Sequence, residues 1–276
     1  MRGIFKRLPA ALNGDEESIH QMRVAGRRLR VALPLLARKP AGKRVRRAVT
    51  ILRQLVRAAG TSRDLDVSVA LLEERMREMG VLSPELLVLR RRLRGTRSRS
   101  RARMAEALLD IEIAKLRRNL RAIIGRRAES LFTVLQRLRD ERDRRGTALS
   151  SSLQALGDRF DPEELHRLRI RARRLRYMAE LRETLRGQSS EAPAIFRQLQ
   201  ERLGAVRDLF VVSEWLAGQA AASRARGALA LAEEASRLHE FFLERSREHH
   251  RAFLESAPAH LLARGLEEMG QGRSAA

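Results

Sequence analysis

Two eleven-residue segments of the chain carry histidine and arginine at the same spacing. HQMRVAGRRLR spans residues 20–30, HRLRIRARRLR spans residues 166–176, and six of the eleven positions are identical. The guanidinium group presents a fixed fork of donors that matches phosphate oxygens, and a histidine adds a further donor. Because the pattern occurs twice, it favours an anion-binding site built from two equivalent helices.

On a helix, the cationic side chains of each segment share one face. At 100° per residue the histidine and three arginines fall within an arc of roughly 80°, opposite the leucines. These residues are His20, Arg23, Arg27 and Arg30 in the first copy, and His166, Arg169, Arg173 and Arg176 in the second. Arg28 and Arg174 lie at the borders of the stripes, and Tyr177 lies close to the second. Neither stripe contains an acidic residue, and since like charges repel, we expect a bound polyanion to compensate them.

Other basic residues could extend such a site. Basic residues cover one face of segment 43–57, and residues 90–101 align several arginines along one line. The possible additional phosphate contacts are Lys43, Arg46, Arg47, Arg53, Arg57, Arg63, Arg94, Arg97, Arg101, Arg207 and Tyr177. A solvated helix face is the alternative explanation for such rows, and for residues 90–101 both explanations stay open.

A second repeated motif follows each stripe. AAGTSRDLDV (58–67) and RLGAVRDLFV (202–211) share Gly-x-x-Arg-Asp-Leu at the predicted junction of two helices. Glycine there suits a left-handed helix C-cap, and Thr61 or Asp64 could cap the next helix. An Arg–Asp ion pair that fixes the turn is one interpretation of the motif. The other is that Arg63 or Arg207 reaches a ligand.

The chain that positions these groups is predicted to be all-α. Alanine, leucine, arginine and glutamate dominate it, and the alternation typical of strands is absent. The predicted helices cover about 15–38, 43–59, 63–79, 84–124, 127–145, 161–186, 191–204, 206–222 and 225–255, with a break at Gly204. The repeat predicts two pseudo-symmetric four-helix bundles, in residues 1–145 and 146–276, joined by a linker at 146–152. Whether 127–145 packs or projects stays open, and the tail after Gly265 is expected to fray.

Composition narrows the class of partner. Lysine and arginine number 57 against 34 aspartates and glutamates, for a formal net charge of +23. Residues 1–145 hold 37 of the bases and 16 of the acids, so nearly all the excess lies in the first half. This excess predicts a polyanionic partner. The chain has no cysteine, and no signal peptide or apolar run of about 18 residues, so we expect a cytoplasmic protein that does not bind membranes.

No pattern in the sequence predicts catalysis, a metal or a cofactor. His20 and His166 have no carboxylate three or four residues ahead on their own stripes, and the arginines beside them would repel a cation. His249 and His250 are adjacent and project about 100° apart, so they do not chelate. Phosphate-binding loops, nucleophile elbows and HExxH are all absent. We therefore predict a binding protein and not an enzyme.

Over about residues 15–255 the chain resembles the CHAD family (conserved histidine α-helical domain). The resemblance rests on the order and spacing of four segments: HQMRVAGRRLR, RDLDV, HRLRIRARRLRY and LGAVRDLFV. The resemblance implies two four-helix bundles around a basic groove or pore that binds inorganic polyphosphate, and association with polyphosphate granules. The implied contacts are His20, Arg23, Arg27, Arg28, Arg30, His166, Arg169, Arg173, Arg174 and Arg176. Arg173 stands where the family often has lysine, and Ala59 where leucine is usual. No ExExK motif of a triphosphate tunnel domain occurs, so we expect the binding module alone.

Two rival functions use the same charge. One is a nucleic-acid-binding protein, and the other is a scaffold that docks an acidic protein partner. In a polyphosphate-binding protein, other polyanions such as nucleic acid and nucleotides are expected to be weaker ligands. Aromatic residues make up only 4% of the chain, whereas proteins that bind single strands stack bases on them. No recognition-helix motif for duplex DNA stands out either. The sequence leaves the oligomeric state and the preferred polyphosphate length undetermined.

Overall fold

The described part of the chain consists of helices and their connections. The computed structural model describes residues 2–80, 82–125 and 129–271, leaving aside the side chains of residues 2 and 61, and these ranges contain no strand. The helices are α1 Arg2–Phe5, α2 Leu8–Leu12, α3 Glu16–Leu36, α4 Lys43–Ala58, α5 Gly60–Met79, α6 Pro84–Leu109, α7 Ile113–Ile124, α8 Leu131–Leu156, α9 Pro162–Arg186, α10 Ala192–Arg224, α11 Leu229–Glu255 and α12 Pro258–Gly270. The prediction of an all-α fold is confirmed.

Aspartate caps fix the start of the two helices that carry the repeated motif. Asp15 Oδ2 accepts a hydrogen bond of 2.8 Å from the Ser18 amide at the start of α3. Asp161 Oδ1 accepts bonds from the Glu163 and Glu164 amides at 3.1 and 3.0 Å at the start of α9. Each cap satisfies amides that the first turn leaves unpaired, and so it determines where the helix begins.

Buried residues form three clusters that hold these helices together. The first joins α1 to α4 with α7 and the end of α6. The second joins α8, α9 and α12 with the N-terminal part of α10 and the end of α11. The third joins α5 and α6 to α10 and α11, so it draws on both halves of the chain. In addition α3 packs on α9 and α5 packs on α10, which brings corresponding segments of the sequence repeat together. The duplication itself stays a prediction.

The predicted linker at 146–152 is wrong, because α8 continues through it from Leu131 to Leu156. Leu149 and Leu156 are buried, and Gly146 lies so close to Leu266 of α12 that an added Cβ would be 2.7 Å from Cδ1. Burial in the second cluster therefore outweighs the low helix propensity of glycine and serine. Val134 and Leu138 are also buried, so the described part of 127–145 packs on the bundle; residues 127 and 128 lie outside the described ranges.

Two predicted helix boundaries are also wrong. The single helix expected at 84–124 divides into α6 and α7, and the turn at Asp110–Glu112 lets Leu108 and Leu116 enter the same cluster. Conversely, α10 runs without a break through Gly204. A Cβ at Gly204 would lie 3.2 Å from Arg169 Nη2, so this glycine admits a side chain from α9 and does not end a helix.

Helices extend further towards both ends of the described ranges than the pattern predicts. Helices α1 and α2 precede the first predicted helix and bury Ile4 and Ala11 in the first cluster. After Gly265 the chain stays helical to Gly270, and Met269 is buried in the second cluster, so the expectation of fraying there is wrong. Residues 272–276 lie outside the described ranges.

Candidate functional site

The two stripes face a common cavity between α3 and α9, which we call the histidine cavity. It has a volume of about 540 Å³, and ten of the predicted residues line it. They are His20, Arg23, Arg27, Arg63, His166, Arg169, Arg173, Arg176, Tyr177 and Arg207. The residues of both repeats thus converge on one space, with α5 and α10 supplying Arg63 and Arg207 at its edge.

A second space adjoins the first, and we call it the α8 cavity. Its volume is about 680 Å³, and its walls come from α3, α4, α8 and α9. Arg27, Arg173 and Tyr177 line both cavities, so these three side chains form the wall between them. Of the other predicted residues, Arg30, Arg53 and Arg174 line the α8 cavity.

Burial and mutual repulsion make the arginines between α3 and α9 an unusually dense positive charge. Burial, followed by repulsion from Arg27, lowers the pKa of Arg23 to about 10 and that of Arg173 to about 9. Burial also lowers the pKa of Arg27, while the Tyr177 hydroxyl opposes the shift. Both pKa values stay above neutrality, so Arg23 and Arg173 are charged at pH 7. The site therefore concentrates positive charge where solvent screens it least.

Several of these guanidinium groups retain unused donors. The buried Nε atoms of five arginines have no hydrogen-bond partner within the described protein; these arginines are Arg23, Arg27, Arg30, Arg169 and Arg176. A buried donor without a partner costs free energy, and a donor on a charged group costs more than a neutral one. An anion in the cavity could accept these bonds and recover that free energy.

The two histidines are neutral donors and acceptors at pH 7. Burial is the main cause that lowers the pKa of His20, and Arg63 adds to it by repulsion. Burial likewise lowers the pKa of His166, with Arg207 as the next cause. Nδ1 of His166 is buried without a hydrogen-bond partner in the described structure. A phosphate oxygen beside either ring would favour its protonated form.

The repeated Arg-Asp motif forms an ion pair, but with a different arginine from the one expected. Asp64 Oδ1 lies 4.0 Å from Arg23 Nη2, and Asp208 Oδ1 lies 3.9 Å from Arg169 Nη1, so each aspartate contacts the first arginine of its own stripe. Burial raises the pKa of Asp208, and Arg169 opposes the shift. The predicted glycine C-cap is wrong: Ala59 occupies the C-cap position after α4 ends at Ala58, and α5 begins at Gly60 without a side-chain cap. The Thr61 side chain lies outside the described structure.

Five residues that the sequence predicted as phosphate contacts lie outside the histidine and α8 cavities. Arg28 lines neither cavity, and its Nε donates to Glu180 Oε2 at 2.8 Å. Lys43 and Arg47 line a separate cavity between α4 and α7. Arg46 donates to the Ala41 carbonyl, and Arg57 is exposed and lines none of the three cavities.

The arginine row of α6 is neutralised by carboxylates from other helices. The partners are Glu73 for Arg94, Glu16 for Arg97, and Glu16 together with Asp66 for Arg101. The bond from Arg101 Nη2 to Asp66 Oδ1 is 2.8 Å long, and Asp66 is buried. An acid-free row on one helix is therefore not acid-free in the folded protein, and these three arginines hold α6 against α3 and α5.

Sequence reasoning missed three arginines of α8. Arg137, Arg144 and Arg145 line the α8 cavity, where the first donates to the Ala37 carbonyl at 2.9 Å. Arg144 and Arg145 both contact Glu141. Their segment carries acids among its bases and has no counterpart in the repeat, so only the packing of α8 reveals the contact.

The described residues contain neither a membrane-spanning helix nor a cluster of metal ligands. None of their helices is apolar over enough length to cross a bilayer. No three histidine, cysteine, aspartate or glutamate side chains within the described ranges come together as metal ligands would.

Comparison with known proteins gives concordant findings. A family model described as the CHAD domain matches residues 2–217. Two uncharacterized proteins of Mycobacterium tuberculosis, from strains CDC 1551 / Oshkosh and H37Rv, are each 30% identical over 224 residues. The match covers 76% of this chain but 42% of each relative, so the chain spans less than half of their length. The crystal structure of the CHAD domain from the plant Ricinus communis aligns with a TM-score of 0.60 at 24% identity, covering 96% of this chain and 87% of that one.

Proposed function

Since the chain belongs to the CHAD domain family, we propose that it binds inorganic polyphosphate in the two adjoining cavities between α3 and α9. One observation carries the proposal: equivalent cations from two sequence repeats converge on one space, and several of their buried ring and Nε nitrogens have no hydrogen-bond partner in the described protein. A chain of phosphates offers acceptor oxygens at regular intervals along its whole length. It could therefore engage both stripes at once.

The lining of the cavities favours polyphosphate over nucleic acid. Among the residues that line them, Tyr177 is the one phenylalanine, tyrosine or tryptophan, and it is only 4% exposed. A bound base would need an accessible ring, since stacking contributes about 1–3 kcal/mol per base. A lining of guanidinium groups with one buried phenol suits a ligand that consists of phosphate alone.

In this proposal the protein binds polyphosphate and does not cleave it. The carboxylates that line the two cavities are Asp64, Asp208, Glu201, Asp140 and Glu141. Asp64, Asp208 and Glu141 contact arginines. Binding would also retain the protein at cytoplasmic polyphosphate granules. A purified protein that shortened polyphosphate chains in the presence of a divalent cation would contradict this part of the proposal.

Competition tests the ligand class directly. A labelled single-stranded oligonucleotide is bound first, and long-chain polyphosphate is added at equal phosphate concentration. We expect polyphosphate to displace it, with an affinity that falls steeply with salt because bound phosphates release counterions. Failure to displace the oligonucleotide would contradict the proposal.

A pair of variants links the result to the cavities. R27M and R173M together remove two charges from the shared wall and should weaken polyphosphate binding strongly. The control is R77M, an exposed arginine on α5 that lines none of the three cavities. Equal affinities of the double variant and the control would exclude these cavities as the binding site.

A further inference from the structure

A third cavity, which we call the α4–α7 cavity, lies between α4, α7 and the segment that joins α3 to α4. It has a volume of about 440 Å³. Half of its ten lining residues are cations: Arg38, Lys39, Lys43, Arg44 and Arg47. The rest are Ala37, Gly42, Val45, Ala122 and Ile123, so no carboxylate lines it. Its composition is that of an anion site.

The five cations differ from the arginines of α6 because no carboxylate of the described chain pairs with them. Every ion pair found within 4.0 Å involves other bases. The neighbouring acid, Glu129, is engaged by Arg137 at 3.0 Å. All five side chains are exposed, and α4 contains no acidic residue at all. Unneutralised charge of this density attracts polyanions.

This cavity adjoins the α8 cavity. Pro34 and Pro40 line the α8 cavity, whereas Ala37, Lys39 and Gly42 line the α4–α7 cavity, so the short segment between α3 and α4 separates the two. Helix α4 makes the same connection: Val49 and Arg53 line the α8 cavity, and Lys43, Arg44 and Arg47 line the α4–α7 cavity. From Arg47 to Arg53 the helix advances only about 9 Å.

We infer that the α4–α7 cavity is an outlying subsite that extends the binding track for long polyphosphate chains. The inference rests on the proposed function of the central cavities. A short chain would be accommodated between α3 and α9, whereas a long chain leaving the α8 cavity beside Pro40 would cross the segment 37–42 and meet Lys43, Arg44 and Arg47. The subsite makes the protein discriminate polyphosphates by length.

The test compares two ligand lengths on one variant. Lys43→Gln, Arg44→Gln and Arg47→Gln together remove three exposed charges from α4, and glutamine keeps a good helix propensity. A matched control removes three exposed charges outside all three cavities, by Arg77→Gln, Arg224→Gln and Arg226→Gln. Tripolyphosphate and long-chain polyphosphate are titrated into both variants and the unmodified protein at several salt concentrations.

We expect the α4 variant to bind tripolyphosphate as the unmodified protein does and to bind long chains more weakly. If each contact behaves as it does for single-stranded nucleic acid, the slope of log affinity against log salt for long chains should fall by about 2. The control should show neither change.

Three outcomes would overturn the inference. Long-chain affinity could be unchanged in the α4 variant, or both ligands could lose affinity equally. Titration could also show two chains bound to each unmodified protein and one to the variant, which would make the cavity an independent second site. In each case the unmodified protein still binds polyphosphate. If it binds neither ligand, the proposed function itself fails.

Discussion

Replacing Arg173 by methionine separates the binding role of this residue from any role in folding. Arg173 lies in the wall shared by the histidine and α8 cavities, and burial followed by repulsion from Arg27 lowers its pKa to about 9. The lowered pKa means that the folded protein holds this charge less favourably than water does. Methionine removes the charge and keeps an unbranched stem to fill the space.

The expected effects on stability and on binding have opposite signs. Replacing even a paired buried charge by an apolar residue of similar volume is often stabilising by about 1–4 kcal/mol, and Arg173 has no carboxylate within 4.0 Å in the described structure. We expect R173M to raise the free energy of unfolding of the ligand-free protein by about 1–3 kcal/mol. The corresponding rise in Tm is several degrees for a chain of this size. Polyphosphate affinity should fall in the same variant.

Thermal denaturation without ligand and titration with long-chain polyphosphate measure the two effects, with R77M as control. A Tm that falls by several degrees would refute the electrostatic reasoning, because it would show that Arg173 stabilises the fold. An unchanged affinity would refute the placement of the ligand in the shared wall. Only the combination of a higher Tm and weaker binding agrees with the structure.

Three further changes test other parts of the molecule. Leu175→Ala should cost about 2–5 kcal/mol of unfolding free energy in denaturant melts, since Leu175 is fully buried; a loss below 1 kcal/mol would contradict its place in the core. Gly204→Ala should push Arg169 aside and weaken polyphosphate binding, with helicity measured by circular dichroism unchanged; unaltered affinity would show that this close approach is dispensable. Binding should strengthen as pH falls from about 7 towards 5, because bound phosphate favours protonation of His20 and His166, whose pKa values burial lowers in the free protein. Glutamine at both positions should remove that pH dependence.

The central site could be predicted because its information lies within single helices. A 3.6-residue period places the cations of α3 and α9 on one face, and the signal Asp161-Pro162 marks where α9 begins. The duplication then implies that both faces meet. Seven of the ten residues in the two stripes and at their borders line the histidine cavity, Arg30 and Arg174 line the α8 cavity, and only Arg28 lines neither.

The features of the site that the sequence did not predict depend on contacts between segments that are distant in the chain. The row Arg94, Arg97 and Arg101 is acid-free along α6, but Asp66 and Glu16 approach it from other helices. Periodicity within one helix carries no information about such partners.

The wrong predictions of a helix break and a linker both arose from glycine, because the structural role of a glycine depends on the residues that pack beside it. At Gly204 the neighbour is a guanidinium from α9, and at Gly146 it is Leu266, so both glycines lie inside helices where the sequence pattern predicted a break or a linker. Glycine is used both where another segment packs closely against a helix and where the chain turns, and only the packing distinguishes the two uses.

The chain has one tyrosine and one tryptophan, and they occupy very different surroundings. The tyrosine ring, at position 177, lies between the two central cavities, with the guanidinium carbons of Arg28 and Arg176 at 5.9 and 4.9 Å from its centroid. The tryptophan, at position 215, packs against the third cluster and lines none of the three cavities. The protein therefore contains its own optical reporter of occupancy and an internal reference: ligand entry should perturb the near-ultraviolet spectrum of the phenol and leave that of the indole unchanged.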